Sequence, residues 1–145
     1  MNIRDARPED CPQLARLEAE VTSHPWSAAQ YAGSLSAGHR FWIGEEQGEI
    51  VAWAVTLSVL DEAELLNIAT AANRQGRGLA RALLDALCTG LAAQGCHLLR
   101  LEVRDSNSRA RRLYTGAGFT ESGVRKHYYR SAGGREHAVL MEKPL

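Results

Sequence analysis

The chain contains 145 residues, 45% of them hydrophobic, and its 17 lysines and arginines balance its 17 aspartates and glutamates. This length and composition predict one globular domain over residues 1–145. The balanced charge argues against direct nucleic-acid binding and against adsorption to a membrane. No apolar run approaches a membrane span and the first residues lack an apolar signal region, so a cytoplasmic location is expected. Three cysteines without metal-ligand spacing are interpreted as buried, reduced thiols, and no metal ion is expected: Cys11, Cys88 and Cys96.

Apolar periodicity and turn residues predict elements in the order β-α-α-β-β-β-α-β-α-β-β. A strand at 2–6 precedes a helix that opens at Pro8 and is broken by Pro25. Ser27 is predicted to cap a second helix, which runs to about residue 36. The remaining predicted elements are strands at 40–45, 49–59 and 62–70, a helix at 78–93, a strand at 97–104, a helix at 107–116, and strands at 119–129 and 136–143. This order predicts an α/β fold with a mixed central sheet flanked by helices.

A glycine-containing turn precedes the most strongly periodic helix. Gly76 and Gly78 let the backbone curl tightly because they carry no Cβ atom. The helix that follows directs its unpaired N–H groups and positive dipole end at this turn, where Arg77 and Arg81 add positive charge. Together these features predict a site for a phosphate or pyrophosphate group.

Two common nucleotide-binding motifs do not fit this turn. No GxxxxGK[ST] string is present, and Arg81 occupies the third glycine position of a GxGxxG fingerprint. The pattern Gln75-x-x-Gly78-x-Ala80 instead resembles the [QR]xxGx[GA] pyrophosphate motif of the GCN5-related N-acetyltransferases (GNATs), which implies that the turn holds acetyl-CoA. The alternative is an ordinary glycine turn that joins a strand to a helix.

The charged face of the strand at 97–104 also requires an explanation. Apolar and charged side chains alternate from residue 99 to residue 104, which predicts one apolar and one charged face. The strand lies between two predicted helices, so it is expected to be internal in the sheet. Glu102 then either pairs with neighbouring arginines on a solvated face or faces a substrate cleft.

The next predicted helix places Asn107 and Tyr114 on one stripe. Asn107 is suited to the N-cap or the first turn. Tyr114 follows two turns later, about 10 Å along the axis. The phenol of Tyr114 is interpreted either as a packing group or as a participant in proton transfer.

Further segments extend the resemblance to GNATs over nearly the whole chain. They resemble those of the bacterial ribosomal-protein alanine N-acetyltransferases of the RimI type, and they are Pro25-Trp26-Ser27, Leu60-Asp61-Glu62-Ala63, Asn67-Ile68-Ala69, Leu101-Glu102-Val103-Arg104, Ser106-Asn107, Leu113-Tyr114, Gly118-Phe119, Tyr128-Tyr129 and Gly134-Arg135-Glu136. This resemblance implies a single-domain GNAT fold. It also implies transfer of acetyl from acetyl-CoA to the N-terminal alanine of a ribosomal protein, small-subunit protein number eighteen.

The resemblance implies a role for each matching position. Glu102 would act as the general base and Tyr114 as the general acid in a direct transfer, while Asn107 would bind the pantetheine end of CoA. The acetyl and pantetheine arm is assigned to Ile68, Ala69 and Thr70, and the pyrophosphate to Gln75, Gly76, Arg77, Gly78, Leu79, Ala80 and Arg81. The peptide groove is assigned to Trp26, Asp61, Glu62, Tyr128 and Tyr129.

Three positions depart from the family pattern. Ala80 stands where close relatives usually carry glycine, Ala71-Ala72 replaces an acidic residue and proline, and His137 replaces an aspartate, a change expected to alter peptide selectivity. Asp61, Glu62 and Glu64 form an acidic cluster that either guides a basic peptide or is a solvated strand start. Three alternative functions stay open: acetylation of lysine side chains or a small amine, a non-catalytic acyl-CoA-binding module, and a nucleotide-binding module.

Overall fold

A computed structural model describes all residues from Met1 to Leu145. Seven strands form one mixed sheet in the order β1-β2-β3-β4-β5-β7-β6, in which β4 and β5 run parallel. The strands are β1 Asn2–Arg4, β2 Arg40–Glu46, β3 Glu49–Val59, β4 Glu62–Thr70, β5 Leu98–Arg104, β6 Thr120–Ser131 and β7 Gly134–Pro144. The helices are α1 Asp10–Ala19, α2 Ala28–Ser36, α3 Leu79–Ala93 and α4 Ser108–Gly116. The predicted mixed α/β architecture is therefore confirmed.

The boundaries differ from prediction mainly where side-chain periodicity carries little information. β1 ends at Arg4, two residues early, and α1 ends at Ala19 although Val21 continues the apolar spacing. The N–H groups of Val21 and Thr22 both donate to the carbonyl of Glu18, which closes the helix in a tight final turn. The final hairpin is longer than predicted because β6 and β7 continue to a turn at which Gly134 has a φ angle of 123°.

The chain forms two compact units. The first consists of Met1–Leu57 and Leu66–Leu87, and the second of Ser58–Leu65 and Cys88–Leu145. The core of the first unit packs one face of α1 and α2 against β2 and β3, and its fully buried side chains include Leu14, Tyr31, Ile43, Trp53 and Val55. In the second unit, apolar side chains of β5 and β7 are buried, among them Leu99, Leu101, Val139 and Met141. Each unit thus carries its own buried apolar cluster.

The start of α2 has the predicted cap. The Ser27 side chain accepts a hydrogen bond from the backbone N–H of Gln30 at 3.1 Å, and the Gln30 side chain accepts one from the backbone N–H of Ser27 at 2.7 Å. This capping box satisfies two N–H groups that the helix itself leaves without acceptors. It also fixes the chain directly after Trp26.

None of the helices is both long and apolar enough to cross a membrane.

Candidate active site

The glycine turn lies in the first unit, between a short 3₁₀ turn at Ala72–Arg74 and the start of α3. Gly76 and Gly78 have φ angles of 79° and 75°, a region that side chains with a Cβ atom rarely adopt. A Cβ atom on either residue would meet no protein atom within 4 Å. Open space therefore borders the backbone of the turn, which suits the close approach of a phosphate group.

The first turn of α3 presents donors and positive charge at the same place. Ala82 donates to the carbonyl of Gly78 at 3.0 Å, so the N–H groups of Leu79 and Ala80 precede the first helical hydrogen bond. Arg77 pairs with Glu46 at 3.1 Å and lowers the pKa of that carboxyl. Because this ion pair is exposed and therefore weak, a phosphate group can compete for the Arg77 guanidinium.

The end of β4 is tied to this turn. Ile68, Ala69 and Thr70 are half-buried, and the carbonyl of Thr70 accepts a hydrogen bond from the Gln75 side chain at 3.4 Å. Gln75 is the first residue of the pyrophosphate motif. The structure thus brings the segment assigned to the acetyl arm and the segment assigned to the pyrophosphate together within the first unit.

The alternation predicted for β5 is present, and β5 is an internal strand, as predicted, between β4 and β7. The side chains of Leu99, Leu101 and Val103 are buried, whereas those of the intervening charged residues are half-buried or exposed. Arg100 pairs with Glu62 at 3.0 Å, and Arg104 pairs with Glu136 at 3.1 Å. Both arginine neighbours of Glu102 on β5 therefore have other carboxylate partners.

Glu102 itself pairs with Arg125 of β6, whose Nε lies 2.8 Å from Oε1 of the carboxylate. The two strands are separated by β7, and the pair reaches over that strand. Glu102 is half-buried, with a side chain that is 20% exposed, so the carboxylate is accessible to a reacting group.

Asn107 is the N-cap of α4, and its side-chain oxygen accepts a hydrogen bond from the backbone N–H of Ala110 at 3.2 Å. Tyr114 lies near the other end of α4 and is only 7% exposed, with its ring 5.7 Å from that of Phe119. Burial, and to a lesser extent the nearby Tyr129, raises the pKa of the Tyr114 phenol. The phenol therefore stays protonated across the physiological pH range.

Tyr128 lies within an irregularity in the pairing of β6 with β7, and Tyr129 is the residue at which the pairing resumes. His127 has a positive φ of 54°, and its N–H donates to Nδ1 of His137 at 2.9 Å. This contact fixes the backbone directly before the two tyrosines. Tyr128 is exposed and Tyr129 half-buried, and burial together with the charge of Glu102 raises the pKa of Tyr129.

Guanidinium groups cover both tyrosine rings. The guanidinium carbon of Arg104 lies 4.4 Å from the ring centroid of Tyr129, and that of Arg125 lies 5.2 Å from that of Tyr128. Arg125 therefore contacts both Glu102 and Tyr128. The second unit thus brings the predicted base close to two residues assigned to the peptide groove.

Two carboxylates of the acidic cluster have side-chain partners. Asp61 lies 3.1 Å from Nε2 of the exposed His97, and Glu62 is the partner of Arg100. Both lie in the second unit at the start of β4. The ion pair with Arg100 reduces the negative charge that the sequence indicates for this segment.

A buried carboxylate was missed in the sequence. Glu18 of α1 is 3% exposed and accepts a hydrogen bond from the backbone N–H of Trp26, one of the residues assigned to the peptide groove. Glu18 lies four residues after Leu14, on the apolar face of the helix. A charged residue at a core position was the signal that could have revealed it.

The fold agrees with a match to a family model. Residues 3–119 match the model of the acetyltransferase (GNAT) family, and the chain belongs to this family. It is therefore an acyltransferase, an N-acetyltransferase that uses acetyl-CoA as the acetyl donor.

Two sequence relatives and one solved structure are similar to this chain over nearly its full length. The [ribosomal protein bS18]-alanine N-acetyltransferase of Escherichia coli K12 is 38% identical over 94% of this chain and 92% of its own length. The protein of the same name from Haemophilus influenzae is 39% identical over 91% and 90% of the two chains. The crystal structure of the ribosomal-protein-S18-alanine N-acetyltransferase from Escherichia coli superposes with a TM-score of 0.92 at 37% identity and covers 99% of this chain and 92% of its own.

Proposed function

We propose that this protein transfers the acetyl group of acetyl-CoA to the α-amine of an N-terminal alanine, and that its substrate is ribosomal protein bS18. The observation that carries this proposal is the identity of 38% over almost the full length of both chains with an enzyme of that name. The family resemblance noted in the sequence, at the segments around Trp26, Asn67, Glu102 and Tyr128, also extends well beyond the pyrophosphate motif.

The cofactor is held, in this proposal, by main-chain donors and two arginines. The turn from Gln75 to Arg81 binds the pyrophosphate of CoA, because open space, helix N–H groups and positive charge meet there. The backbone of Ile68, Ala69 and Thr70 binds the acetyl and pantetheine arm. Asn107 binds the pantetheine end through its amide group, part of which also caps α4.

The nucleophile is the free form of the α-amine. An N-terminal amine has an ordinary pKa of about 7.7–8.0, so much of it is protonated at neutral pH. Glu102, directly or through a water molecule, takes the proton that the amine loses. Attack on the thioester carbon gives a tetrahedral oxyanion, to which a backbone N–H in the segment 68–70 donates. The C–S bond then breaks, and no covalent enzyme intermediate forms.

Tyr114 assists the departure of the CoA thiolate. An ordinary thiol has a pKa of about 8.5, well below that of the buried phenol, whose pKa is raised. Full ionisation of Tyr114 by the thiolate is therefore unfavourable. We infer that the phenol donates a strong hydrogen bond as the C–S bond breaks, and that it passes its proton to the thiolate only in concert with a proton that solvent returns to the phenol oxygen.

Replacement of Tyr114 by phenylalanine is expected to lower kcat about 10- to 100-fold, because the hydroxyl donor is lost while the ring remains. The ring contact with Phe119 persists in this variant, so the melting temperature should change little. Steady-state thiol release measures the effect. Phe119→Leu is the matched control, since it disturbs the same packing and keeps the hydroxyl. If the Tyr114→Phe enzyme were as fast as the wild type, Tyr114 would have a packing role and no part in catalysis.

The proposed substrate is tested by thiol release from acetyl-CoA with a synthetic peptide that begins Ala-Arg-Tyr. The same peptide with a blocked N-terminus and a blocked peptide that contains lysine are the controls. Release only with the free α-amine is expected. Release with the lysine peptide instead would show that the enzyme acetylates side-chain amines. If the protein binds CoA but releases no thiol with any amine, catalysis by this chain is contradicted.

A further inference from the structure

A buried polar network connects three segments of the first unit. The carboxylate of Glu18 accepts hydrogen bonds from the Tyr31 hydroxyl, from the Asn67 amide at 3.0 Å and 3.1 Å, and from the backbone N–H of Trp26. The Tyr31 hydroxyl accepts from Nε1 of Trp53 at 2.7 Å and from the Asn67 amide at 3.1 Å. Glu18, Tyr31 and Trp53 are each at most 3% exposed.

Every group around the Glu18 carboxylate is a donor. The two contacts that Tyr31 accepts occupy both lone pairs of its hydroxyl oxygen, so its single proton points to Glu18. The amide of Asn67 and the main chain of Trp26 present N–H groups. A carboxylate is the one side-chain group of this size that accepts at all of these positions, which explains why it is retained in the core although burial raises its pKa.

The network joins two parts of the proposed site that are far apart in sequence. Trp26 lies in the loop between α1 and α2, and its ring packs at a tilt against that of Tyr31 with the centroids 5.1 Å apart. Asn67 directly precedes Ile68, the first residue of the segment assigned to the acetyl arm and the oxyanion. Neither the Pro25-Trp26-Ser27 nor the Asn67-Ile68-Ala69 segment contains Glu18, yet both are held by it.

We propose that Glu18 is a positioning residue for acetyl transfer. Its buried carboxylate fixes the position of the loop at Trp26 relative to the strand at Asn67. This inference rests on the proposed function for the roles of Trp26 and of the segment 68–70. Glu18 touches neither the acetyl group nor the amine. Its loss therefore acts on the alignment of the peptide and the thioester, which contributes strongly to the rate of a bimolecular transfer.

Glu18→Gln is the direct test. The amide NH2 of glutamine faces only donors at this position, so at least one hydrogen bond is broken inside the core. We expect kcat/KM for the amine substrate to fall about 10- to 50-fold, whereas the Kd for CoA changes less than about threefold because the glycine turn is untouched. The amine used is whichever one the wild-type enzyme acetylates. A wild type inactive on the alanine peptide would thus count against the proposed substrate alone.

The double substitution Glu18→Gln with Asn67→Asp supplies the decisive comparison. It moves the carboxylate to position 67 and the amide to position 18. The introduced amide then donates to the introduced carboxylate and accepts from Trp26, and the hydroxyl of Tyr31 keeps an acceptor for its proton. Recovery of at least a third of the wild-type kcat/KM is expected. A loss that reflected lower stability alone would be matched by Leu14→Ala, a substitution of a fully buried side chain on the same face of α1.

Three results would overturn the proposal. They are an unchanged kcat/KM in Glu18→Gln, a double variant no more active than the single one, and an equal loss in Leu14→Ala at the same fall in melting temperature. If Glu18→Gln does not fold, Asn67→Ala tests the same hydrogen bonds, because it removes the half-buried donor and leaves Glu18 in place. There, an unchanged kcat/KM would likewise contradict the positioning role.

Discussion

Replacement of Glu102 by glutamine is expected to lower kcat about 100- to 1000-fold while the Kd for CoA stays within about twofold. General bases typically contribute rate factors of about 10²–10⁴, and glutamine keeps the size of the side chain without accepting a proton. The variant should recover part of its activity between pH 7 and pH 9, because the free amine then forms in solution without a base. Initial rates of thiol release across this pH range, with CoA affinity from calorimetry, measure both effects.

Glu121→Gln provides the matched control for this substitution. Glu121 also lies in the second unit and also pairs with an arginine, Arg111, at 2.6 Å, and its side chain is more exposed than that of Glu102. The same change of charge and of ion pairing is thereby made outside the proposed site. A Glu102→Gln enzyme with wild-type turnover, or one no slower than Glu121→Gln, would remove Glu102 as the base.

Replacement of Gly78 by valine is expected to weaken CoA binding about 10- to 100-fold. With a φ of 75° at this position, a β-branched residue is strained by about 1–2 kcal/mol or more, and relaxation moves the donors of the α3 N-terminus. The added side chain would also enter the open space beside the turn. Calorimetric titration with CoA measures the change in Kd.

Gly38→Val separates strain from cofactor binding. Gly38 has a φ of 85°, and a Cβ atom there would likewise meet nothing within 4 Å. Both variants should therefore lose similar stability, and only Gly78→Val should lose CoA affinity. Equal affinities for CoA in the two variants would contradict the pyrophosphate assignment.

Local patterns were sufficient for much of the fold and for the turn. The start of α3 follows from its leucine spacing and from glycines whose positive φ angles the chain actually adopts. The charged face of β5 follows from strict alternation, and the Asn107 cap follows from residue type at a helix start. Each of these features depends on residues within one or two turns of each other, which is the range over which periodicity carries information.

The contacts that were not predicted depend on tertiary register. The partner of Glu102 is Arg125 because β7 inserts between β5 and β6, and the order of those strands is not visible in the sequence. The irregularity near His127 depends on a register shift within the last hairpin. The hydrogen bonds of Glu18 join residues up to 49 positions apart, so its place on the apolar face of α1 indicated burial without indicating its partners.

Because all three thiols are buried, their reactivity measures how often the folded protein opens. Cys11, Cys88 and Cys96 are each at most 7% exposed, and burial raises the pKa of Cys11. A thiol reagent reacts with the accessible thiolate, so labelling of these cysteines must follow local or global unfolding. A chromogenic thiol reagent used to measure released CoA therefore reacts little with the folded enzyme itself. Without substrate, the slow rate at which it labels the three cysteines measures the conformational stability of the protein.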